Sequence, residues 1–317
     1  MSERAPEERV WDLLRGGLCT RALGLVAELG VPAALADGPR HVDELARETG
    51  ADPETLHRLL RALASDGVFV EDGEGVFRHS PASELLSTSA GWADFARLFG
   101  GIWLRTLADL DASGEPSFPR TFGDEFWGWL GEHADERAMF DRAMGQGWEG
   151  RIARLERVEW RGDETVVDVG GGNGSLLVEL LRRMPGLRGI VFDLPETVRD
   201  EASFGDRLEF VAGSFFEQVP RGDVYILSTI LHDWDDEPCV AILRTVRAAA
   251  PDDGRLVVLD TVVQPGNEPD GPKWLDLLML ALFAGKERNE RQWRELFAET
   301  GFEPVRIEDG LIEARCR

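Results

Sequence analysis

The chain has 317 residues, 43% of them hydrophobic and 30% charged, the profile of a globular protein with room for about two domains. Its 59 acidic residues outnumber 35 Lys and Arg, and the formal net charge of −24 repels nucleic acid and anionic membrane alike. No run of five or more Lys/Arg offers a local exception, and no apolar stretch reaches the ~18–20 residues that a spanning helix needs.

The opening Met1–Arg9 is charged in both senses and lacks the apolar core of a secretory signal. Residues 11–86 then read as short helices followed by a hairpin. Leu23, Val26, Leu29 and Val31 share an apolar face, and Gly30 with Pro32 punctuates its end. Asp52-Pro53 is an N-cap with proline in the first helical position, opening a helix with Leu56, Leu59, Leu60 and Leu63 at helical spacing and Gly67 at its close. Val68–Val70, a turn over Asp72–Gly75, and Val76-Phe77 make a two-stranded wing. Together these predict a winged-helix-like domain over residues 1–90. Such modules often bind DNA, but between Asp37 and His79 ten Asp/Glu face five Arg. Arg58 and Arg61 alone are a poor phosphate footprint, so dimerisation or packing is the better role.

Residues 91–157 read as a helical connector, rich in aromatics from Trp92 to Trp148. Core packing accounts for most of these rings, and a few are placed to wall a pocket for a flat ligand. Residues 158–317 alternate strands with helices. Val166–Val169, Gly189–Asp193, Leu208–Ala212, Val224–Ser228 and Arg255–Val262 are short, apolar and β-branched, with helices over Ser175–Arg183 and Glu237–Ala250 between them. This is the βαβ pattern of a doubly wound, Rossmann-like α/β domain. Asp309-Gly310 between two alternating runs adds a hairpin, so the mostly parallel sheet ends in an antiparallel strand. The three cysteines, Cys19, Cys239 and Cys316, form neither a disulfide framework nor a metal-ligand cluster. No metal is expected, and a reduced cytoplasm is the expected compartment.

The first chemical motif is Val166-Val-Asp-Val-Gly-Gly-Gly-Asn-Gly174, between the first strand and first helix of the α/β domain. Glycines let the backbone approach a ligand closely and take positive φ. The dinucleotide-type Gly-x-Gly-x-x-Gly fails at Ser175; instead Gly170, Gly172 and Gly174 follow Asp168. Asp168 repels phosphate and favours a cation, and S-adenosylmethionine carries an ammonium and a sulfonium. Asp193, at the end of the second strand, can accept from both ribose hydroxyls of an adenosine. Gly213-Ser214-Phe215, at the third strand end, is placed to flank the adenine.

The second motif is Leu231-His232-Asp233-Trp234, after the fourth strand. His232 is the sole histidine of the α/β domain. With an ordinary pKa of ~6.5 it would take a phenolic proton near neutrality. Asp260, at the end of the fifth strand, and Glu287, in Gly285-Lys-Glu-Arg-Asn289, are alternative acceptors for the second imidazole N–H. Asp235, Asp236 and Glu237 read as structural, favoured by the dipole of the next helix.

Taken together, these residues resemble the S-adenosylmethionine-dependent small-molecule O-methyltransferases, of the plant caffeate and flavonoid type and the bacterial polyketide-tailoring type. The resemblance covers nearly the whole chain, through Asp168–Gly174, Phe192-Asp-Leu-Pro195, His232-Asp-Trp234 and Gly285–Arg288. It implies S-adenosylmethionine as cofactor, with S-adenosylhomocysteine as product, held by Asp168, Gly170, Gly172, Asp193, Leu194, Gly213, Ser214, Phe215 and Ser228. By the same resemblance His232 is the general base, flanked by Asp260 and Glu287. Phe140, Met144, Met279 and Phe283 line the acceptor pocket, the acceptor is a small aromatic metabolite with a phenolic hydroxyl, and the chain forms a homodimer. Three positions depart from the family pattern. Ser214 stands where an aspartate commonly meets the adenine amino group, Ser228 where many plant members have lysine, and Asp260 is a methylene shorter than the usual glutamate. Methylation of nitrogen or carbon, a drifted decarboxylase or hydroxylase, a nicotinamide-dependent dehydrogenase and a winged-helix regulator are the competing readings.

Overall fold

The computed structural model describes residues 5–88, 90–145, 148–195, 197, 205–308 and 310–317. They fall into two compact units, one of residues 1–110 with 117–146, the other of residues 111–116 with 147–317. No helix among the described residues is long and apolar enough to cross a membrane.

The first unit runs through α1 (Pro6–Leu14), α2 (Gly16–Glu28), α3 (Val31–Ala34), β1 (Arg40–His41), α4 (Val42–Thr49), α5 (Pro53–Ser65), β2 (Phe69–Gly73) and β3 (Val76–His79). It continues with α6 (Pro81–Thr88), α7 (Ala90–Leu98), a π-helical turn (Phe99–Trp103), α8 (Leu104–Ala108), α9 (Phe118–Phe122), α10 (Phe126–Glu132) and α11 (Ala134–Met144). The Asp52 carboxylate accepts from the Thr55 amide at the start of α5 and Pro53 follows it, as the sequence predicts. Leu56, Leu60 and Leu63 then bury against Phe69 and Phe77 of the wing. The wing gains a third strand, with order β1-β3-β2. At two residues, β1 is too short to leave an alternation in the sequence. Among the aromatics, Phe118 contacts Phe122, Phe126 and Trp129, while Phe95 packs on Phe99 and Trp103. Packing is what these rings do within this unit.

The second unit contains α12 (Trp148–Leu155), β4 (Thr165–Val169), α13 (Ser175–Arg183), β5 (Arg188–Asp193), β6 (Leu208–Ala212), β7 (Val224–Ser228), α14 (Asp236–Ala249) and β8 (Arg255–Leu259). After these come α15 (Gly271–Phe283), α16 (Glu290–Thr300), β9 (Phe302–Glu308) and β10 (Leu311–Cys316). The seven-stranded sheet has the order β6-β5-β4-β7-β8-β10-β9. β4 to β8 are parallel, and β10 runs antiparallel to both β8 and β9. The strands read as nearly continuous apolar runs because both faces are covered. Val167, Val169, Tyr225, Leu227, Leu256 and Val258 meet Ile242 and Val246 of α14 and Trp293 and Phe297 of α16. Their alternates, Val166, Val224, Ile226, Val257 and Leu259, pack with Ile152, Leu155, Leu177, Leu180 and Leu181 of α12 and α13.

One strand is shorter than its β-branched run. β8 stops at Leu259, where its register with β7 reaches Ser228, the last residue of that strand. Beyond it Asp260 turns inward, and Val262 pairs instead with Arg288 in an isolated bridge. At the closing hairpin Gly310 has φ of 74°, while Asp309 lies outside the described residues.

Candidate active site

The chain lays down β4, β5 and β6 in one direction along the sheet, then returns to the other side of β4 for β7. That reversal opens a crevice beyond the carboxyl ends of β4 and β7, the place where open α/β sheets bind ligands. Two loops border it, residues 170–174 after β4 and residues 229–235 after β7. They touch: a Cβ on Gly170 would stand 2.4 Å from Cδ1 of Ile230, two residues before His232. Gly170, Gly172 and Gly174 all have positive φ, between 59° and 76°, so the loop needs its glycines for conformation as well as for space.

The loop is tied to the next strand. The Gly170 amide donates to the Phe192 carbonyl at 2.8 Å, and the Gly172 amide to Oδ2 of Asp193, also at 2.8 Å. Oδ1 of Asp193 accepts from the Leu194 amide at 2.7 Å. An ionised carboxylate has about four lone-pair sites, so these bonds leave Asp193 capacity to accept from a diol. Asp168 is 2% exposed, and its Oδ2 has no hydrogen-bond partner. Burial, with the charge of Asp193 added, pushes its carboxyl up to about 7 against the pull of Arg151. Ser228, at the end of β7, likewise buries a hydroxyl oxygen without a partner. A glycine cradle beside two unsatisfied buried polar atoms suits a ligand that brings N–H donors and positive charge, and a pyrophosphate would meet Asp168 instead of an anion nest. At the end of β6 the Gly213 amide donates to the Asp193 carbonyl, and the Ser214 hydroxyl accepts from the Phe216 amide. The half-buried Phe215 ring stands edge-on to Trp234 at 6.2 Å, which links this third strand end to the His232 turn.

His232 lies in a short 3-10 turn, Leu231–Asp233, and its side chain is 12% exposed. Nδ1 is 2.8 Å from Oε1 of Glu287. Of the two acids that sequence left open as its partner, Glu287 makes the bond, while both oxygens of the buried Asp260 lack a hydrogen bond. Glu287 is itself fixed, accepting from the Thr261 hydroxyl on Oε2 and donating its amide to Asp276 of α15 at 2.8 Å. With Nδ1–H directed at Glu287, Nε2 is the nitrogen left to exchange a proton. It faces Oδ1 of Asp233 at 3.4 Å.

The electrostatics depart from the ordinary imidazole that the sequence suggested. Burial by itself would lower the pKa of His232, but the Asp233 charge, the Glu287 hydrogen bond and the Asp260 charge outweigh it and push the ring up to about 10. Burial in turn raises Asp233 to about 7 and Asp260 to about 6, each partly offset by His232. Asp233, Thr261 and Asp276 escaped the sequence reading. Asp233 sat inside the motif unassigned, Thr261 followed a residue already singled out, and Asp276 left no local signal on its helix. Asp235 caps α14 by accepting from the Asp236 amide, and both acids pair with Lys286. Phe140 and Met144 stand on α11 of the first unit, where Phe140 meets Phe126 and Trp127 edge-on at 5.5 Å. Met279 and Phe283 stand one helical turn apart on α15 of the second, Met279 buried and Phe283 half-buried.

Comparison with known proteins places this geometry in a family. Residues 104–303 match the O-methyltransferase domain, and residues 11–89 match the O-methyltransferase dimerisation domain. The chain is 38% identical to the phenazine O-methyltransferase of Lysobacter antibioticus, covering 93% of this chain and 91% of that protein. It is 37% identical to the mitomycin biosynthesis 6-O-methyltransferase of Streptomyces lavendulae, over 97% and 91% of the two chains. Human N-acetylserotonin methyltransferase, solved with S-adenosylmethionine, superposes with a TM-score of 0.89 at 25% identity, covering 100% of this chain and 99% of that one. The doubly wound sheet is thus the class I methyltransferase fold, and the chain belongs to the S-adenosylmethionine-dependent O-methyltransferase family.

Proposed function

We propose that this enzyme methylates a phenolic hydroxyl of a small, flat aromatic metabolite, with His232 as general base. The observation that carries the reading is the contact between the two loops of the crevice: the glycine-lined turn after Asp168 touches the turn bearing His232, whose Nδ1 meets Glu287. Relatives support the acceptor class, acting by name on a phenazine, a mitomycin and N-acetylserotonin.

Bound S-adenosylmethionine supplies a methyl group already activated on a sulfonium, so the protein's tasks are placement and proton removal. Asp168, with Gly170 and Gly172, holds the methionine ammonium, and Ser228 lies along the same edge. Asp193 and Leu194 hold the ribose, and Gly213, Ser214 and Phe215 border the adenine. Met279 and Phe283 on α15 border the acceptor, the methionine adapting to ring edges. Nε2 of His232 takes the hydroxyl proton, and Glu287 stabilises the charge that the ring acquires. Raised to about 10, the proton affinity of the His232 imidazole falls in the range of a free phenolate.

In this reading residues 1–90 serve dimerisation and 158–317 hold the cofactor and the base. The partner is a second copy of the chain. Val10, Trp11, Leu13, Leu14 and Leu18 are 56–72% exposed along α1 and the start of α2, an apolar surface that a homodimer would cover. Neither nucleic acid nor membrane takes part, and three unpaired cysteines suit the cytoplasm.

The test is His232→Ala in the full-length protein. The affinity for S-adenosylhomocysteine stays near that of the wild type, while methyl transfer to a phenol falls by roughly 10²–10⁴-fold. Equal loss of both would make the histidine structural. An unmodified protein stabilised by NAD and not by S-adenosylhomocysteine would remove the methyltransferase reading altogether.

A further inference from the structure

Arg288 is a fully buried cation within the second unit, and two of its hydrogen bonds go to the turn that carries His232. One terminal nitrogen donates to the Leu231 carbonyl and the other to the Trp234 carbonyl, both at 2.9 Å. Those two carbonyls bracket His232 and Asp233. Asp236 holds the guanidinium from the solvent side, its Oδ1 accepting from Nε at 3.1 Å and from a terminal nitrogen at 3.0 Å. The buried Trp293 ring lies 5.6 Å from the guanidinium centre. The backbone of Arg288 is anchored too, since its carbonyl accepts from the Val263 amide at 3.0 Å and the residue bridges to Val262. Three residues earlier the loop passes against the same turn, where a Cβ on Gly285 would stand 2.2 Å from the His232 carbonyl oxygen.

Glu287 is the neighbour of Arg288 in the chain, and its carboxylate ends on Nδ1 of His232. The two members of the catalytic pair thus sit on segments 55 residues apart that one guanidinium ties together. We propose that Arg288 is the positioning residue of the His232–Glu287 pair, its planar fork fixing the turn that presents the imidazole to the loop that presents the carboxylate. A buried cation costs desolvation that an apolar side chain of similar volume would not, so stability alone is a weak reason for one here. A fork meeting two carbonyls and a carboxylate at once is a geometry that lysine does not reproduce. The inference rests on the reading of His232 as the base.

The experiment follows the His232 ring by imidazole ¹⁵N–¹H spectroscopy of the full-length protein, with S-adenosylhomocysteine affinity measured in parallel by calorimetry. The chain has five histidines, and the signal of His232 is the one lost in His232→Ala. Arg288→Lys keeps the charge and loses the fork. It is expected to bind S-adenosylhomocysteine within about twofold of the wild type. Its His232 pKa drops by about one unit or more, a tenfold loss in proton affinity, and the downfield Nδ1–H signal of the Glu287 bond weakens. Asp236→Asn, changed at the exposed partner, shifts the ring the same way by less. Wild-type titration of His232 in both variants overturns the proposal, as does a matching loss of S-adenosylhomocysteine binding in both, which would mark Arg288 as a support of the whole domain. Glu287→Gln is the reference: if it leaves the His232 titration unchanged, the underlying pair is wrong and the inference falls with it.

Discussion

A histidine ringed by carboxylates gains proton affinity and loses availability. His232 is pushed up to about 10, so at neutral pH only about one ring in a thousand is the free base. The sign follows directly: transfer to a phenol rises with pH, about tenfold per unit, from neutrality towards pH 10. Glu287→Gln removes a group that holds the proton, so its profile levels off at lower pH. A wild-type rate profile already flat above pH 7 would show an unperturbed imidazole and contradict the arrangement. Asp168 carries the second titration. Its carboxyl sits at about 7 in the free protein and must ionise to meet an ammonium, so S-adenosylhomocysteine affinity weakens as pH falls below 7. Asp168→Asn binds more weakly and loses that slope; calorimetry across pH 5.5–8 checks it. At this scale His232, Glu287 and Asp168 stand out in the sequence because they sit in compact motifs, and the structure brings the first two into contact. It could not choose between Asp260 and Glu287. That choice turns on where β8 ends and how the 285–288 loop returns, and both are set by tertiary contacts.

Elements were legible where one residue type dominates a stretch. The five parallel strands show as β-branched runs because both their faces are covered, and the Asp52-Pro53 cap marks an end by local chemistry. The β-branched run after Arg255 overshot, since Val262 and Val263 keep the strand composition while pairing with Arg288 instead of β7. The π-helical turn at Phe99–Trp103 also left no trace, being an adjustment of hydrogen bonding within an otherwise helical stretch. Nor did the crossing of the 231–234 turn by the 285–288 loop, which depends on a single missing Cβ. Gly285→Ala tests that crossing. Its methyl group would meet backbone atoms of His232 and Asp233 at 2.2–2.9 Å, and backbone cannot swing aside as a side-chain end can. Overpacking of this kind costs about 1–3 kcal/mol. Chemical denaturation should register that loss, while the glycine loop after β4 retains S-adenosylhomocysteine. An alanine variant of wild-type stability and turnover would show that the two segments are free to part.

At the scale of the molecule, net charge and apolar surface pull in opposite directions. Each copy carries a formal charge of −24, so two copies repel over distances that salt controls, with a screening length of about 10 Å at 0.1 M. In the proposed homodimer the attraction is assigned to the apolar surface of α1, where Trp11 is 63% and Leu14 70% exposed beside Leu13 and Val10. Fully burying one such side chain is worth about 1.5–3 kcal/mol, and the gain is insensitive to screening. If that surface holds two copies together, added salt lowers the repulsion and leaves the attraction, so the dimer tightens as ionic strength rises. An interface held by ion pairs would do the reverse. Sedimentation equilibrium at about 20 and 300 mM salt separates the two, since the screening length shrinks several-fold across that range. The wild-type chain should be more completely dimeric at the higher salt, and Leu14→Asp should release monomers at both, because it places a charge in the covered surface and adds to the repulsion. A dimer that loosens with salt, or that ignores Leu14→Asp, would move the interface away from α1.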